Sequence, residues 1–132
     1  MWLYNGQEFK EEMIGDNIGF VYIITNLSNN KQYVGKKLFT KSKTYQKNNK
    51  KKRKRVSSDW EIYTGSNDQL NEDIKNGDSI KKEILHLCKS KGWATYLETK
   101  EILVRDCLIS ESYYNIWVQC KVRASHLKSK GT

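Results

Sequence analysis

No apolar run in this sequence approaches the roughly 20 residues that a membrane-spanning helix needs. The N-terminus also lacks the charged-then-apolar pattern of a secretory leader, so the expectation is a cytoplasmic protein with no membrane partner. Cysteine is scarce: Cys88, Cys107 and Cys120 are odd in number, widely spaced and contain no CxxC pair. That argues against a disulfide framework and a zinc site, and leaves them as small core fillers. Acidic residues are missing from one long stretch, positions 40–58. The 132 residues suffice for one compact domain with one core and are too few for two, so residues 1–132 are expected to form a single domain.

The acid-free stretch carries Lys41, Lys43, Lys47, Lys50, Lys51, Lys52, Arg53, Lys54 and Arg55. The net charge is +9, and these nine residues account for all of it, since the remainder holds fifteen basic and fifteen acidic residues. A localised positive block is the footprint expected for a polyanion partner, nucleic acid above all. A membrane surface or a localisation signal on 50–55 are the competing readings. The stretch is rich in Lys, Ser, Thr and Asn and has no apolar periodicity, so it is expected to be a flexible loop that orders against DNA.

Two β-branched and aromatic runs, Gly19–Thr25 and Lys31–Phe39, flank the turn formers Asn26–Asn30 and predict a β-hairpin. Antiparallel pairing brings Tyr22 and Tyr33 close together, and Gly35 leaves room for another backbone or a phosphate. Before the hairpin, a short helix is expected around Glu8–Ile14, with Trp2 and Phe9 packing on the sheet. After the basic stretch, Ser66 with Gln69 reads as a capping box opening a helix that passes Leu70 and Ile74 and stops near Gly77. Residues 79–88 alternate as a third strand, with His86 as a structural histidine. Residues 93–105 show helical spacing, with an apolar stripe of Trp93, Tyr96, Leu97, Leu103, Val104 and Leu108 bordered by Glu98. Residues 117–122 read as a short terminal strand or extended packing segment, and His126 with 128–132 as a frayed end. The fold class is α+β: a small antiparallel β-sheet with helices packed on it.

Phe20-Val21-Tyr22, followed eleven residues after Tyr22 by Tyr33-Val34-Gly35, resembles the paired signature of the GIY-YIG nuclease family, with Phe20 standing where the family usually has glycine. Lys36, the helix-borne Leu97-Glu98 and the segment Tyr114-Asn115-Ile116 resemble further family positions in the same order. The stretch 60–70, with Tyr63 and Gly65-Ser66, is similar to a phage-encoded branch. The resemblance covers most of residues 19–117 and implies a metal-dependent DNA endonuclease akin to stand-alone phage or homing enzymes, in the host-cell cytoplasm if phage-encoded. It implies Tyr22 as general base, Tyr33 orienting water or phosphate, Tyr63 adding a hydroxyl, Glu98 holding one Mg²⁺ or Mn²⁺, and Asn115 fixing local structure. A phenol has a reference pKa of about 10, and Lys36 with a second cation would lower it. The family arginine position falls on Lys43, leaving Arg53 or Arg55 to fold back in its place and leaving open a non-catalytic DNA binder of the same fold. DNA contacts are expected from Lys37, Lys43, Lys50, Lys51, Lys52, Arg53, Lys54 and Arg55. Too little chain follows Val122 for a separate recognition region, so the target is expected to be structural or weakly specific, or the basic loop or a partner supplies selectivity. Oligomeric state stays open, since one site cutting two strands needs a dimer or two visits.

Overall fold

A computed structural model describes residues 1–128. Its strands are β1 (Trp2–Tyr4), β2 (Gln7–Glu8), β3 (Gly19–Asn26), β4 (Gln32–Leu38), β5 (Thr40–Lys47), β6 (Lys50–Ser57) and β7 (Ile80–Cys88). Its helices are α1 (Asp68–Lys75), α2 (Lys91–Val104) and α3 (Ala124–Lys128). Five strands form one sheet in the order β2-β1-β7-β3-β4. The predicted hairpin is β3–β4, antiparallel with Tyr22 opposite Gly35, and β7 is the predicted third strand, antiparallel to β3. The sheet is mixed rather than wholly antiparallel, because β1 runs parallel to β7. The helix expected around residues 8–14 is absent: Asn5 and Gly6, each at positive φ, fold residues 2–8 into the β1–β2 hairpin, and one 3₁₀ turn follows at Glu11–Met13. No helix among the described residues is long and apolar enough to cross a membrane.

Both faces of the sheet are covered. One carries an aromatic cluster of Trp2, Phe9, Phe20, Tyr22, Phe39 and Trp60, closed by Leu70 of α1 and by Tyr114. Phe20, in the family's glycine position, is fully buried there, 4.9 Å by ring centroid from both Trp2 and Phe39. The other face packs Val21, Ile23 and Val34 against Ala94 and Ile102 of α2. The register of β3 against β7 slips between Val21 and Tyr22, so Leu85 is an extra residue and the predicted alternation breaks there. Ile84 faces the aromatic side, while Leu85 packs toward α2 and His86 bonds Glu101 of α2 at 2.9 Å.

The segment expected to be a loop, 40–58, is instead the β5–β6 ribbon, a separate two-stranded sheet. Asn48 (φ 54°) and Asn49 (φ 61°) supply the two left-handed residues of a tight hairpin turn. Apolar alternation is missing because nearly the whole ribbon is solvated, with only Thr40 and Val56 less than exposed.

Smaller corrections concern helix ends and the C-terminal segment. The cap of α1 is Asn67, whose side chain accepts from the Leu70 N–H at 2.9 Å, rather than Ser66. Helix α2 begins earlier than expected, capped by Ser90. Its buried face carries Ala94 and Ile102, while Tyr96, Leu103, Val104 and Leu108 of the expected stripe are exposed. Glu98, four residues from each buried residue, therefore lies on the inward face. No strand forms over 117–122; the extended alternative holds, with Val118 packed against the α2-side core. His126 sits in α3, whose Leu127 carbonyl accepts from the Trp93 indole N–H at 3.1 Å. The rest of the expected frayed end, 129–132, lies outside the described residues. Cys88 and Cys107 are buried as expected, and Cys120 is exposed.

Candidate active site

Strand β4 is the open edge of the main sheet, and an edge strand presents unpaired backbone groups. Here those groups are occupied in turn. Gln32 N–H donates to the Ser112 carbonyl at 2.9 Å, and its carbonyl accepts from Tyr114 N–H at 2.8 Å. Val34 N–H donates to Asn115 Oδ1 at 3.0 Å, and Asn115 Nδ2 donates to the Val34 carbonyl at 2.8 Å. Two residues on, the Lys36 backbone lies near enough to the Glu98 carboxylate to lower its pKa. The β-strand period thus sets Glu98 beside Lys36, one rung on from the Asn115 bonds to Val34. Asn115 is 7% exposed and acts here as a backbone mimic.

Alternation along β4 then sorts its side chains. Tyr33, Gly35 and Lys37 face the aromatic side; Val34 and Lys36 face α2. Tyr33, Lys36, Glu98 and Asn115 line one open cavity of about 400 Å³ with Ser66, Thr95 and residues 117–119. Lys36 Nζ donates to Thr95 Oγ1 at 2.6 Å, one turn before Glu98 on the same helix face. Burial pushes the Glu98 carboxyl above the ordinary carboxylate range, with the Lys36 charge and backbone pulling it back. It is a partly desolvated carboxylate set beside the Lys36 ammonium. Among the described residues, no three His, Cys, Asp or Glu side chains converge.

Two glycines shape the tyrosine layer. Gly35 lies directly opposite Tyr22, and a Cβ there would run into the Tyr22 hydroxyl and lie 2.6 Å from Cζ. The close approach that Gly35 permits is thus made by the Tyr22 phenol. Gly65, at φ +87°, would put a Cβ 3.2 Å from the Tyr33 ring. Tyr22 is 1% exposed, with ring centroids 6.2 Å from Tyr33 and 6.1 Å from Tyr63. Burial first, then the neighbouring phenols and Glu98, and a hydrogen bond to Tyr63, push its hydroxyl well above the usual range. Tyr33 is only half-buried; its hydroxyl shares a 3.0 Å hydrogen bond with Ser66, which opposes the upward push of burial and Glu98. Lys37 Nζ sits 4.0 Å from the Tyr63 ring centre and 2.7 Å from Asp59.

The site residues expected from sequence therefore divide. Tyr33, Lys36, Glu98 and Asn115 meet at the cavity. Tyr22 and Tyr63 lie behind Tyr33 in the aromatic layer. Lys43 stands part-way up β5 opposite Lys54, exposed and off the cavity wall. Arg55, at the ribbon base, bonds the Thr40 carbonyl at 2.8 Å and Ser42 Oγ at 3.0 Å. It lines a second groove, of about 590 Å³, that shares Lys36 and Thr95 with the cavity. Sequence reasoning missed Ser66 as the Tyr33 partner, having read it as a helix cap, and missed Thr95. The latter's signal was its place three residues before Glu98. A family model described as "Putative endonuclease segE, GIY-YIG domain" matches residues 2–118. Searches of curated proteins and of solved structures found no match.

Proposed function

This chain belongs to the GIY-YIG nuclease family, and from that premise we propose that it is a divalent-metal-dependent DNA endonuclease whose reaction centre is the cavity between the β4 edge and α2. The observation that carries the reading is the convergence of Tyr33, Lys36 and Glu98 on one cavity. A lone carboxylate, desolvated and facing open space, fits a hard cation that keeps most of its waters, Mg²⁺ or Mn²⁺, with Glu98 as its protein ligand. When bound, that ion supplies Lewis-acid polarisation of the phosphate and acidifies coordinated water.

The chain's own residues do the rest. Tyr33 acts from the cavity as the phenolate, a form that Lys36 and a bound cation would favour against the upward push of burial. Having given its own proton to solvent, its oxygen accepts the proton of the attacking water, because a general base must reach the proton it takes. Ser66 orients it. Tyr22, to which the family resemblance gives the base role, stands behind Tyr33 and under Gly35, where it holds the phenol layer in place with Tyr63. Lys36 stabilises the charge that develops on the phosphate oxygens. Arg55 stands in for the family arginine from the adjoining groove, Lys43 being too far up the ribbon. Asn115 holds the β4 edge. Lys37, Lys43 and the basic residues 50–55 bind substrate phosphates.

The test is nicking of supercoiled plasmid and cleavage of branched DNA with Mg²⁺ or Mn²⁺, comparing the native protein with Glu98→Ala. The expected result is cleavage that needs the metal and disappears in the variant. The competing reading, a DNA binder without activity, is favoured by the lack of arginine among the described residues lining the cavity. Salt-dependent binding without cleavage, unchanged by Glu98→Ala, would establish it instead.

A further inference from the structure

The β5–β6 ribbon has two chemically different faces. In an antiparallel pair, residues directly opposite project to the same side. The pairs Lys41↔Val56, Lys43↔Lys54, Tyr45↔Lys52 and Lys47↔Lys50 make one face, on which Lys54 Nζ lies 5.4 Å from the Tyr45 ring centre. The pairs Thr40↔Ser57, Ser42↔Arg55, Thr44↔Arg53 and Gln46↔Lys51 make the other. Every arginine of the basic block is on this second face, together with its hydroxyl and amide side chains apart from the turn asparagines and the Tyr45 phenol. The lysines, Lys51 excepted, are on the first.

That segregation matters because the two cations do different work on nucleic acid. Lysine is a point charge suited to phosphate, whereas arginine and glutamine present paired groups that match guanine and adenine edges in the major groove. The arginine face supplies three of the four β5–β6 residues on the catalytic side: Thr40, Ser42 and Arg55, with Lys41 of the other face, line the groove that continues through Lys36 and Thr95 into the Glu98 cavity. A duplex lying across that cavity would run past the base of the ribbon. The ribbon is of a size to enter its major groove, which admits a two-stranded β-ribbon. Eight residues per strand reach about 26 Å, the rise of roughly seven base pairs.

We propose that the β5–β6 ribbon is a sequence-reading element that enters the major groove of duplex DNA, with Arg53, Thr44 and Gln46 on base edges and the lysine face supplying contacts to the flanking phosphates. The proposal rests on the DNA-endonuclease reading for its substrate. It adds that base selection occurs up to about seven base pairs from the cut, on one side of it.

The experiment is binding selection from duplexes carrying a randomised segment, with chelator present so that no strand is cut. The native protein is compared with Arg53→Lys, which keeps the charge, and with a Lys43→Ser/Lys54→Ser double variant. All three changes are at exposed ribbon positions that the main sheet does not touch, so folding is not at issue. The native protein should select bases at defined positions. Arg53→Lys should relax one of those positions by about 5- to 150-fold, with the salt dependence unchanged. The double lysine variant should weaken binding to all sequences alike and lower the slope of log affinity against log salt by about 0.9 per lysine. A native pool without base preference, an Arg53→Lys pool identical to it, or equal binding to double-stranded RNA, whose major groove side chains cannot enter, would overturn the proposal. Metal-dependent nicking is scored separately. Selection without nicking would keep the ribbon reading and sink the nuclease one, and nicking without selection the reverse.

Discussion

Strands β3 and β6 are each eight residues long and lie in the same small protein, yet seven residues of β3 are buried while β6 has none. β3 is paired on both sides and covered on both faces; β6 pairs only with β5 and carries six consecutive basic residues, Lys50 to Arg55. A two-stranded ribbon with no apolar face is marginally stable by itself, so its shape is readily set by what it binds. The main sheet is the opposite case, with backbone edge, glycines and aromatic layer leaving Tyr33 and Glu98 little freedom. Chemistry requires groups held to fractions of an ångström, whereas holding a polyanion requires charge and reach. On the proposed reading the two sheets divide those tasks.

Four substitutions sharpen that division, beginning with the largest effect. Within the tyrosine layer, Tyr33→Phe should slow metal-dependent cleavage by about 10²- to 10⁴-fold, as expected for loss of a general base. Tyr22→Phe should cost less than about tenfold in rate and no more than about 1 kcal/mol of stability, since its phenol is packed against Gly35 and Tyr63 rather than facing the cavity. Single-turnover rates and denaturant midpoints separate the two, and the reverse order of rates would return the base to Tyr22. Gly35→Ala should destabilise the fold by about 1–3 kcal/mol through its clash with the Tyr22 phenol, measured by chemical unfolding. Asn115→Ala strips partners from the Val34 N–H and carbonyl and should cost about 2 kcal/mol in the same assay.

The smallest effect contrasts a lysine inside the main sheet with those on the ribbon. Lys82 is 7% exposed, donates to the Glu61 and Tyr63 carbonyls at 3.1 and 2.8 Å, and burial lowers its pKa from 10.5 to about 8. Between those two values the unfolded chain holds a proton that the folded chain has released, so the Lys82 contribution to stability rises with pH across that window. Lys82→Met should flatten the rise, seen as the difference between native and variant unfolding midpoints from pH 7 to 10.5. Lys52→Met on the exposed ribbon should change stability by less than about 0.5 kcal/mol at any of these pH values.

Much of this layout was legible in the sequence, and the reasons differ by region. The β3–β4 hairpin and β7 announce themselves through β-branched and aromatic residues, because burial on two faces demands them. The family resemblance supplied the four residues that meet at the cavity, spaced far apart in sequence. The ribbon was missed because binary patterning reports burial, and nothing there is buried. Its turn was nonetheless written in Asn48-Asn49, the same signal that marked Asn29-Asn30 in the first hairpin. The inward face of α2 was misread for a related reason. Glu98 occupies the position between Ala94 and Ile102, so a polar residue interrupts the stripe where the site is. Tyr22's burial followed from a contact no linear pattern reveals, its phenol lying over the bare backbone of Gly35.

The most direct test of the division between the sheets is to shorten the ribbon while keeping its base. Replacing residues 43–54 by Asn-Gly joins Ser42 to Arg55 through a two-residue turn and retains Arg55 and its bonds to Thr40. Steady-state cleavage of a duplex would then be measured with Mg²⁺ in excess. The account predicts a strongly raised KM with kcat within a few-fold of the native value. A kcat that collapses while KM stays put would contradict it, placing residues 43–54 in the reaction centre itself.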